Sequence, residues 1–353
     1  MAIYAVWNNK GGVGKSYLTF QLASEYARQN PDKNVLVVDL CPQANSSSML
    51  LGGMSDGEEQ LTRIHTTTQP RRTISGYIED RVRSPYMSPK SGAEFVTQVS
   101  HYNDQIPDNV YLVAGDEQLE VQASRVTSAT FPGPQDAWRV THLWIRDLIE
   151  DIRLSWNNEA CCVFIDCNPG FSIYTEFALT AAERLLIPFS ADGSSKRAVK
   201  AVLSLVYGVR RHPGDPQSDF YLESTRYRMA LPEIYMYIGN RLTQMNSSSA
   251  SAFKTVVNEI GEEIWGVWQS SPQTFCIHPD GSPTPNSRRA FKAMFQYELN
   301  DANTASVVSG VLGIPIASLT AGRREVAGRW VTVNQSQLDK QVGNITDLVQ
   351  NIE

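Results

Sequence analysis

Residues 9–16 read Asn-Lys-Gly-Gly-Val-Gly-Lys-Ser, set between a short apolar run, Ala2–Trp7, and an amphipathic stretch, Lys15–Gln29, that stops near Pro31. Three glycines, Gly11, Gly12 and Gly14, let the backbone curl with its N–H groups facing inward. The helix that follows brings the partial positive charge of its N-terminus to the same point. Lys15 is then placed to reach the outer phosphates of a nucleotide such as ATP, and Ser16 to ligate Mg2+. Lys10, Val13 and Tyr17 complete the set of residues expected around the phosphates. A Gly-rich turn alone says little. Here the strand before it, the helix after it and the terminal Gly-Lys-Ser agree, and together they restrict the chain to a fold that opens strand, loop, helix.

The remainder of the sequence extends that pattern. Val35–Asp39 and Cys161–Asp166 are continuous apolar runs ending in an acid, as expected of parallel strands buried on both faces. Further strands are expected at Val110–Ala114, Leu185–Pro188, Ile234–Ile238 and Gly313–Ser318. Helices are expected at Ile74–Val82, Trp138–Leu154, Lys196–Arg210, Ser251–Ile264 and Gln335–Ile352. The alternation predicts an α/β fold of three layers, a mostly parallel twisted sheet with helices on both faces. Two polar, irregular stretches, at 53–109 and 265–303, read as insertions within a single domain covering 1–353. Carboxylates at the carboxyl ends of parallel strands face the ligand crevice. Asp39 and Asp166 are therefore expected around the Mg2+ ion, with Asp39 also placed to help orient an attacking water.

Hydrophobic residues make up 42% of the chain and charged residues 19%, ordinary for a globular protein, and the formal net charge of −6 argues against a generally basic coat. The five cysteines, Cys41, Cys161, Cys162, Cys167 and Cys276, are odd in number and lack C-x-x-C spacing, which reads as reduced thiols in a cytoplasmic protein. There is no apolar run long enough to span a bilayer. The last helix has an apolar face (Leu338, Val342, Ile345, Leu348, Val349, Ile352) with Lys340 as its one base. Lipid binding favours several cations on the polar face, so packing on the protein body is expected.

Lys-Gly-Gly-Val-Gly-Lys-Ser after a strand, with Asn9 at the usual first glycine and a second lysine inside the loop, resembles the deviant Walker A motif of the ParA/MinD ATPases. Other segments agree. Asp39-Leu40-Cys41-Pro42-Gln43-Ala44-Asn45 is similar to the ParA segment Asp-x-Asp-Pro-Gln-x-Asn. Phe164-Ile165-Asp166-Cys167-Asn168-Pro169 looks like its Walker B stretch, Ala182–Pro188 like its Ala-Asp-x-Val-Leu-Ile-Pro strand, and Tyr237–Arg241 like its strand ending in Asn-Arg. The resemblance implies that Lys10 crosses a dimer interface to the partner's nucleotide, that ATP binding drives homodimerisation, and that Asn240, with Arg241, contacts the adenine. It implies non-specific DNA binding, a ParB-like centromere-binding or other activating partner, and a role in plasmid or chromosome segregation in the cytoplasm, at the nucleoid. A MinD-like or other cargo-positioning ATPase acting through a partner protein is the alternative. The glycine loop begins within ten residues of Met1, so no helix-turn-helix is expected ahead of it.

The chain departs from the family at Cys41, which stands where the second aspartate positions the hydrolytic water. A thiol is a poor hydrogen-bond acceptor and mostly uncharged at neutral pH, so weak ATP hydrolysis is expected. For the DNA contacts the sequence offers Lys196, Arg197 and Lys200; Arg210-Arg211; Arg288, Arg289 and Lys292; and Arg323, Arg324 and Arg329. Lys196 and Lys200, one helical turn apart, share a face.

Overall fold

A computed structural model describes every residue of the chain except 69, 132, 191, 211, 243–246 and 301–303; for 241, 242 and 247–253 it describes the backbone alone. Its strands are β1 (Ala2–Val6), β2 (Asn34–Asp39), β3 (Thr97–Gln98), β4 (Val110–Val113), β5 (Cys161–Asp166), β6 (Arg184–Phe189), β7 (Glu233–Leu242), β8 (Gln296–Asn300) and the hairpin pair β9 (Gly322–Val326) and β10 (Arg329–Val333). The first eight form one sheet in the order β3-β4-β2-β5-β1-β6-β7-β8. Every pairing in it is parallel except the short β3 on β4. The expected three-layer α/β architecture is present.

Strand alternation splits the core in two. Ile3, Ala5 and Trp7 point to one face with Val163 and Ile165, where Tyr77, Trp144 and Phe177 cover them. Tyr4 and Val6 point to the other with Cys162 and Phe164, under Phe20, Leu22 and Tyr26 of the helix Lys15–Gln29. A sheet buried on both faces needs apolar residues at successive positions, which is why the central strands read as unbroken hydrophobic runs. The final helix, Gln335–Val349, buries Leu338, Ile345, Leu348 and Val349 against the second core. Its docking is fixed where Arg184 pairs with Glu353 at 2.6 Å and donates to the Tyr4 hydroxyl at 2.7 Å. The apolar face thus belongs to the protein body, and among the described residues no helix is long and apolar enough to cross a membrane.

Three expectations change. Gly313–Ser318 is not a strand: Pro315 has no N–H to give, Ile316 N donates to the Gln21 side chain at 2.9 Å, and the Gly313 carbonyl accepts from Asn103 at 2.8 Å. Its polar backbone groups are satisfied by side chains and local turns instead of a ladder. The last strand of the sheet is β8, a polar edge strand inside the stretch that reads as an insertion. Trp138–Leu154 divides into helices Ala137–His142 and Trp144–Ser155. The stretch 53–109 is also more ordered than its composition suggests, holding helices Asp56–Thr66 and Ile74–Arg83 and strand β3.

Two distant glycines lock this stretch to the C-terminal part. Gly53 (φ 86°) and Gly313 (φ 62°) both lie in the left-handed region, and a Cβ on Gly53 would sit 2.1 Å from the Val311 carbonyl oxygen. Met54 N donates to that carbonyl at 2.8 Å. Gly53→Ala should therefore destabilise by about 2 kcal/mol or more, combining the left-handed penalty with overpacking. Gly266→Ala, inside a helix and with nothing near its Cβ, should instead be neutral or stabilise by up to ~1 kcal/mol. Denaturant midpoints for the two variants check both signs.

Candidate functional site

The loop between β1 and the helix Lys15–Gln29 is open on the side where glycines stand. A Cβ on Gly11 or Gly12 would meet nothing within 4 Å, and Gly12 (φ 76°) and Gly14 (φ 81°) take left-handed backbone. Gly14 is the N-cap and provides no side-chain cap, and the first turn contains no acid. Helix N–H groups left without a cap are anion donors. The Lys15 ammonium lies in the loop, donating to the Lys10 carbonyl at 2.8 Å and approaching that of Asn8 at 3.4 Å. Burial pulls it below the ordinary lysine range, and the charge of Asp166 partly restores it.

Asp39 and Asp166 are direct partners across β2 and β5, and both are fully buried. Their environments differ. Asp39 is tied down: its Oδ1 accepts from Cys41 N at 3.0 Å, and its Oδ2 from Ser47 N at 3.1 Å and Ser47 Oγ at 2.7 Å. Ser47 Oγ in turn accepts from Gly115 N at 2.8 Å. Neither oxygen of Asp166 has a hydrogen-bond partner; the Ser16 and Ser46 hydroxyls are near enough to ease its charge but outside bonding geometry. Burial, then the neighbouring Asp39, pushes its carboxyl up to about 7. A buried carboxylate left without donors beside a second one and a serine hydroxyl fits a hard cation with oxygen ligands. Ser16, Asp39 and Asp166 would hold Mg2+ here, and the open loop with Lys15 would hold the phosphates.

Cys41 is 3% exposed, and its thiol is pushed up to about 12 by burial and by the charges of Asp39 and Asp166. It is therefore a neutral thiol, and its backbone N–H holds Asp39.

The structure also supplies partners that the sequence did not reveal. Lys10 is held within its own chain, in contact with the Asp192 carboxylate and hydrogen-bonded to Ser190 Oγ at 3.1 Å and Ser195 Oγ at 3.3 Å. Asp192, also accepting from the Ser190 and Ser194 hydroxyls, is held well below the usual carboxylate range. Asn240 donates to the Val13 carbonyl at 2.9 Å, so its amide braces the phosphate loop. Arg241 lies on β7 with its side chain outside the described residues. Tyr17 is buried under the loop helix. Asn8, Ser47 and Gly115 belong to the site as well, and no spacing rule marks them.

The candidate DNA residues fare unevenly. Lys196 and Lys200 share a face, as their spacing predicts, but that face meets acids of the helix Ser247–Ser270. Lys196 pairs with Glu259 at 3.1 Å and Glu263 at 3.6 Å, and Lys200 with Glu263 at 2.8 Å. Arg288 pairs with Glu262, and Lys292 donates to Asn258 at 3.0 Å. Arg197 and Arg289 are exposed. Arg210 bonds Gln217 at 2.8 Å, and Arg211 lies outside the described residues. Arg323 and Arg324 do not act as a pair: strand alternation sends them to opposite faces of the hairpin, Arg323 outward and Arg324 back to Thr320.

Known proteins resemble this chain in sequence and in fold. It is 25% identical over 210 residues to the chromosome partitioning protein ParA of Caulobacter vibrioides, covering 60% of this chain and 64% of that one. It is 24% identical over 210 residues to the sporulation initiation inhibitor protein Soj of Bacillus subtilis, covering 60% and 66%. The matched region thus spans less than two thirds of those relatives' length. Among solved structures, apo McdA of Cyanothece superposes with a TM-score of 0.59 at 14% identity over 98% of both chains. The pNOB8 ParA gives 0.52 at 15% identity over 84% and 80%. A putative plasmid partition protein of Borrelia burgdorferi bound to AMPPNP gives 0.52 at 12% over 99% and 98%. At these identities the structural likeness speaks for the fold.

The buried aspartate pair has a consequence for pH. Asp166 is pushed up to about 7 when folded, against ~3.9 for an unfolded aspartate, and burial raises its partner Asp39 as well, so the native pair binds extra proton above the unfolded range. Its contribution is present at low pH and lost as pH rises through 7. In EDTA without nucleotide, the melting temperature of wild type relative to Asp166→Asn should fall between pH 5 and 8, and Mg2+ with nucleotide should reduce that fall. A difference that is flat with pH would contradict the assignment. The model of the AAA_31 family, described as an AAA domain, matches residues 1–215, more than half of the sequence. With the loop, the aspartate pair and these relatives, the chain belongs to the ParA/MinD family of P-loop ATPases, whose cofactors are ATP and Mg2+.

Proposed function

We propose that this chain is a slow ATP-dependent dimerising switch of the ParA type, binding DNA without sequence preference when loaded with ATP and serving to segregate or position DNA. The observation that carries the reading is the second lysine of the loop, Lys10, held at the surface of the site by Asp192, Ser190 and Ser195 and 22% exposed. A cation held this way is at hand to exchange its carboxylate for a phosphate across an interface. When bound, Mg2+ would draw charge from the γ-phosphate and make it electrophilic. The loop amides and Lys15 would orient the phosphates, Ser16, Asp39 and Asp166 would hold the cation, and Asp39, fixed by Ser47 and Cys41 N, would also stand near the attacking water. The matched relatives named ParA and Soj support this reading. The activating partner would be a ParB-like or equivalent protein, and the site of action the cytoplasm at the nucleoid.

Two outcomes are expected. Sedimentation or light scattering with ATP, ADP and no nucleotide should give a dimer with ATP alone, and DNA co-sedimentation that weakens steeply with salt should appear in the same state. Lys10→Ala should still bind ATP yet remain monomeric. A monomer in every condition defeats the switch. For hydrolysis, wild-type turnover should be low but above a Lys15→Ala control. Cys41→Asp should raise it about 10-fold or more, since a positioned acid or base typically contributes at least that much. Unchanged turnover in Cys41→Asp would show that the thiol does not set the rate.

A further inference from the structure

The fold neutralises much of the basic surface that the sequence offers. The lysines of the helix Ser195–Tyr207 and Arg288 are engaged by Glu259, Glu262 and Glu263. One basic element is left differently. β9 and β10 form a two-stranded antiparallel hairpin closed by Ala327-Gly328, both with positive φ, 50° and 74°, as a tight hairpin turn requires. Its twelve residues, Gly322 to Val333, contain three arginines and one acid, Glu325. Val333 is buried, and Val326 and Val331 pack against the second core, which fixes the inner face. The opposite face carries Arg323, Glu325, Trp330 and Thr332, by the pairing Arg323 with Thr332 and Glu325 with Trp330. Trp330 is 58% exposed, and the Arg323 guanidinium lies over its ring at 5.0 Å from the centroid. Arg329, paired with Val326, starts on the other side of the ribbon from Arg323, but it stands at the turn and is exposed. Among the described residues neither Arg323 nor Arg329 has an acidic partner.

The hairpin is also tied to the nucleotide site. The helix Thr304–Leu312 packs on both its strands. On its other side, a Cβ on Gly310 would stand 3.4 Å from Met49 Sδ and 3.9 Å from a Tyr17 ring carbon. Tyr17 follows Ser16, and Met49 shares the helix Asn45–Leu50 with Ser47, which holds Asp39.

We propose that the β9–β10 hairpin is the surface by which this chain contacts duplex DNA, with Arg323 on its outer face and Arg329 at its tip reaching phosphates on the two sides of the ribbon, and Trp330 stiffening Arg323. The inference rests on the DNA-binding reading above and adds where binding occurs. A two-stranded ribbon has dimensions a major groove accepts. The one arginine of the outer face is stacked on Trp330 and has no Asn or Gln beside it to read base edges, so the contact is chiefly to backbone and independent of sequence. Single strands are bound through several stacked aromatics, and this face has one.

The test uses the full chain with ATP and Mg2+ and a fluorescent duplex of arbitrary sequence, read by anisotropy over a salt series. Arg323→Glu with Arg329→Glu should weaken binding at least 10-fold and make the slope of log K against log salt shallower by about 2, since each lost phosphate contact removes about 0.9. Glu325→Gln, which removes the one acid of that face without disturbing the strands, should tighten binding 2- to 5-fold. Wild-type binding that neither change alters overturns the hairpin while leaving DNA binding standing. No binding by wild type under any nucleotide overturns both. Tighter binding to a single strand than to duplex overturns the assignment of the partner.

Discussion

Two carboxylates buried side by side are what this structure has to accommodate. Asp39 and Asp166 end neighbouring strands at the centre of the sheet, where water cannot reach and their charges repel. The fold treats them unequally. Burial raises both carboxyls, but one is surrounded by donors from Cys41 and Ser47 and the other is given none. That asymmetry leaves Asp39 oriented by its donors with a lone-pair site to spare for the cation shell, whereas the unsatisfied Asp166 is stabilised as soon as a cation arrives. The strand–loop–helix on one side and the loop after β4 on the other can be understood as the walls that hold this pair in place.

The nucleotide site was legible in the sequence because its chemistry is local. Glycines, lysine and serine at fixed spacing have few other uses, and the acids that end β2 and β5 follow from strands buried on both faces. What was not legible is contributed from far along the chain. Ser47 is the middle of three consecutive serines, with nothing to distinguish it, and becomes special only because Gly115 comes to meet it. Asp192 is one acid in a polar loop until the fold places it against Lys10.

The fold shows the same contrast. β1, β2 and β5 announce themselves as apolar runs. β8 does not, because an edge strand with a half-solvated surface has no need of them. Gly313–Ser318 has the composition of a strand, but its backbone is claimed by Gln21 and Asn103, residues that no window around it contains. The basic clusters illustrate the point for surfaces. Adjacent arginines on a strand diverge, and lysines aligned on a helix attract the acids of the next one, so charge counted along the sequence overstates charge presented together.

Gly115 carries a further implication. A methyl group there would come within 2.9 Å of the Asp39 carboxyl carbon, of Ala44 Cβ and of the Cys41 carbonyl oxygen, so the bare main chain of Gly115 packs directly against the aspartate. Its N–H also holds Ser47 Oγ, which holds Asp39 in turn. A side chain added at 115 would therefore press on the carboxylate itself, whereas at 41 the side chain can change while the backbone N–H keeps its bond to Asp39.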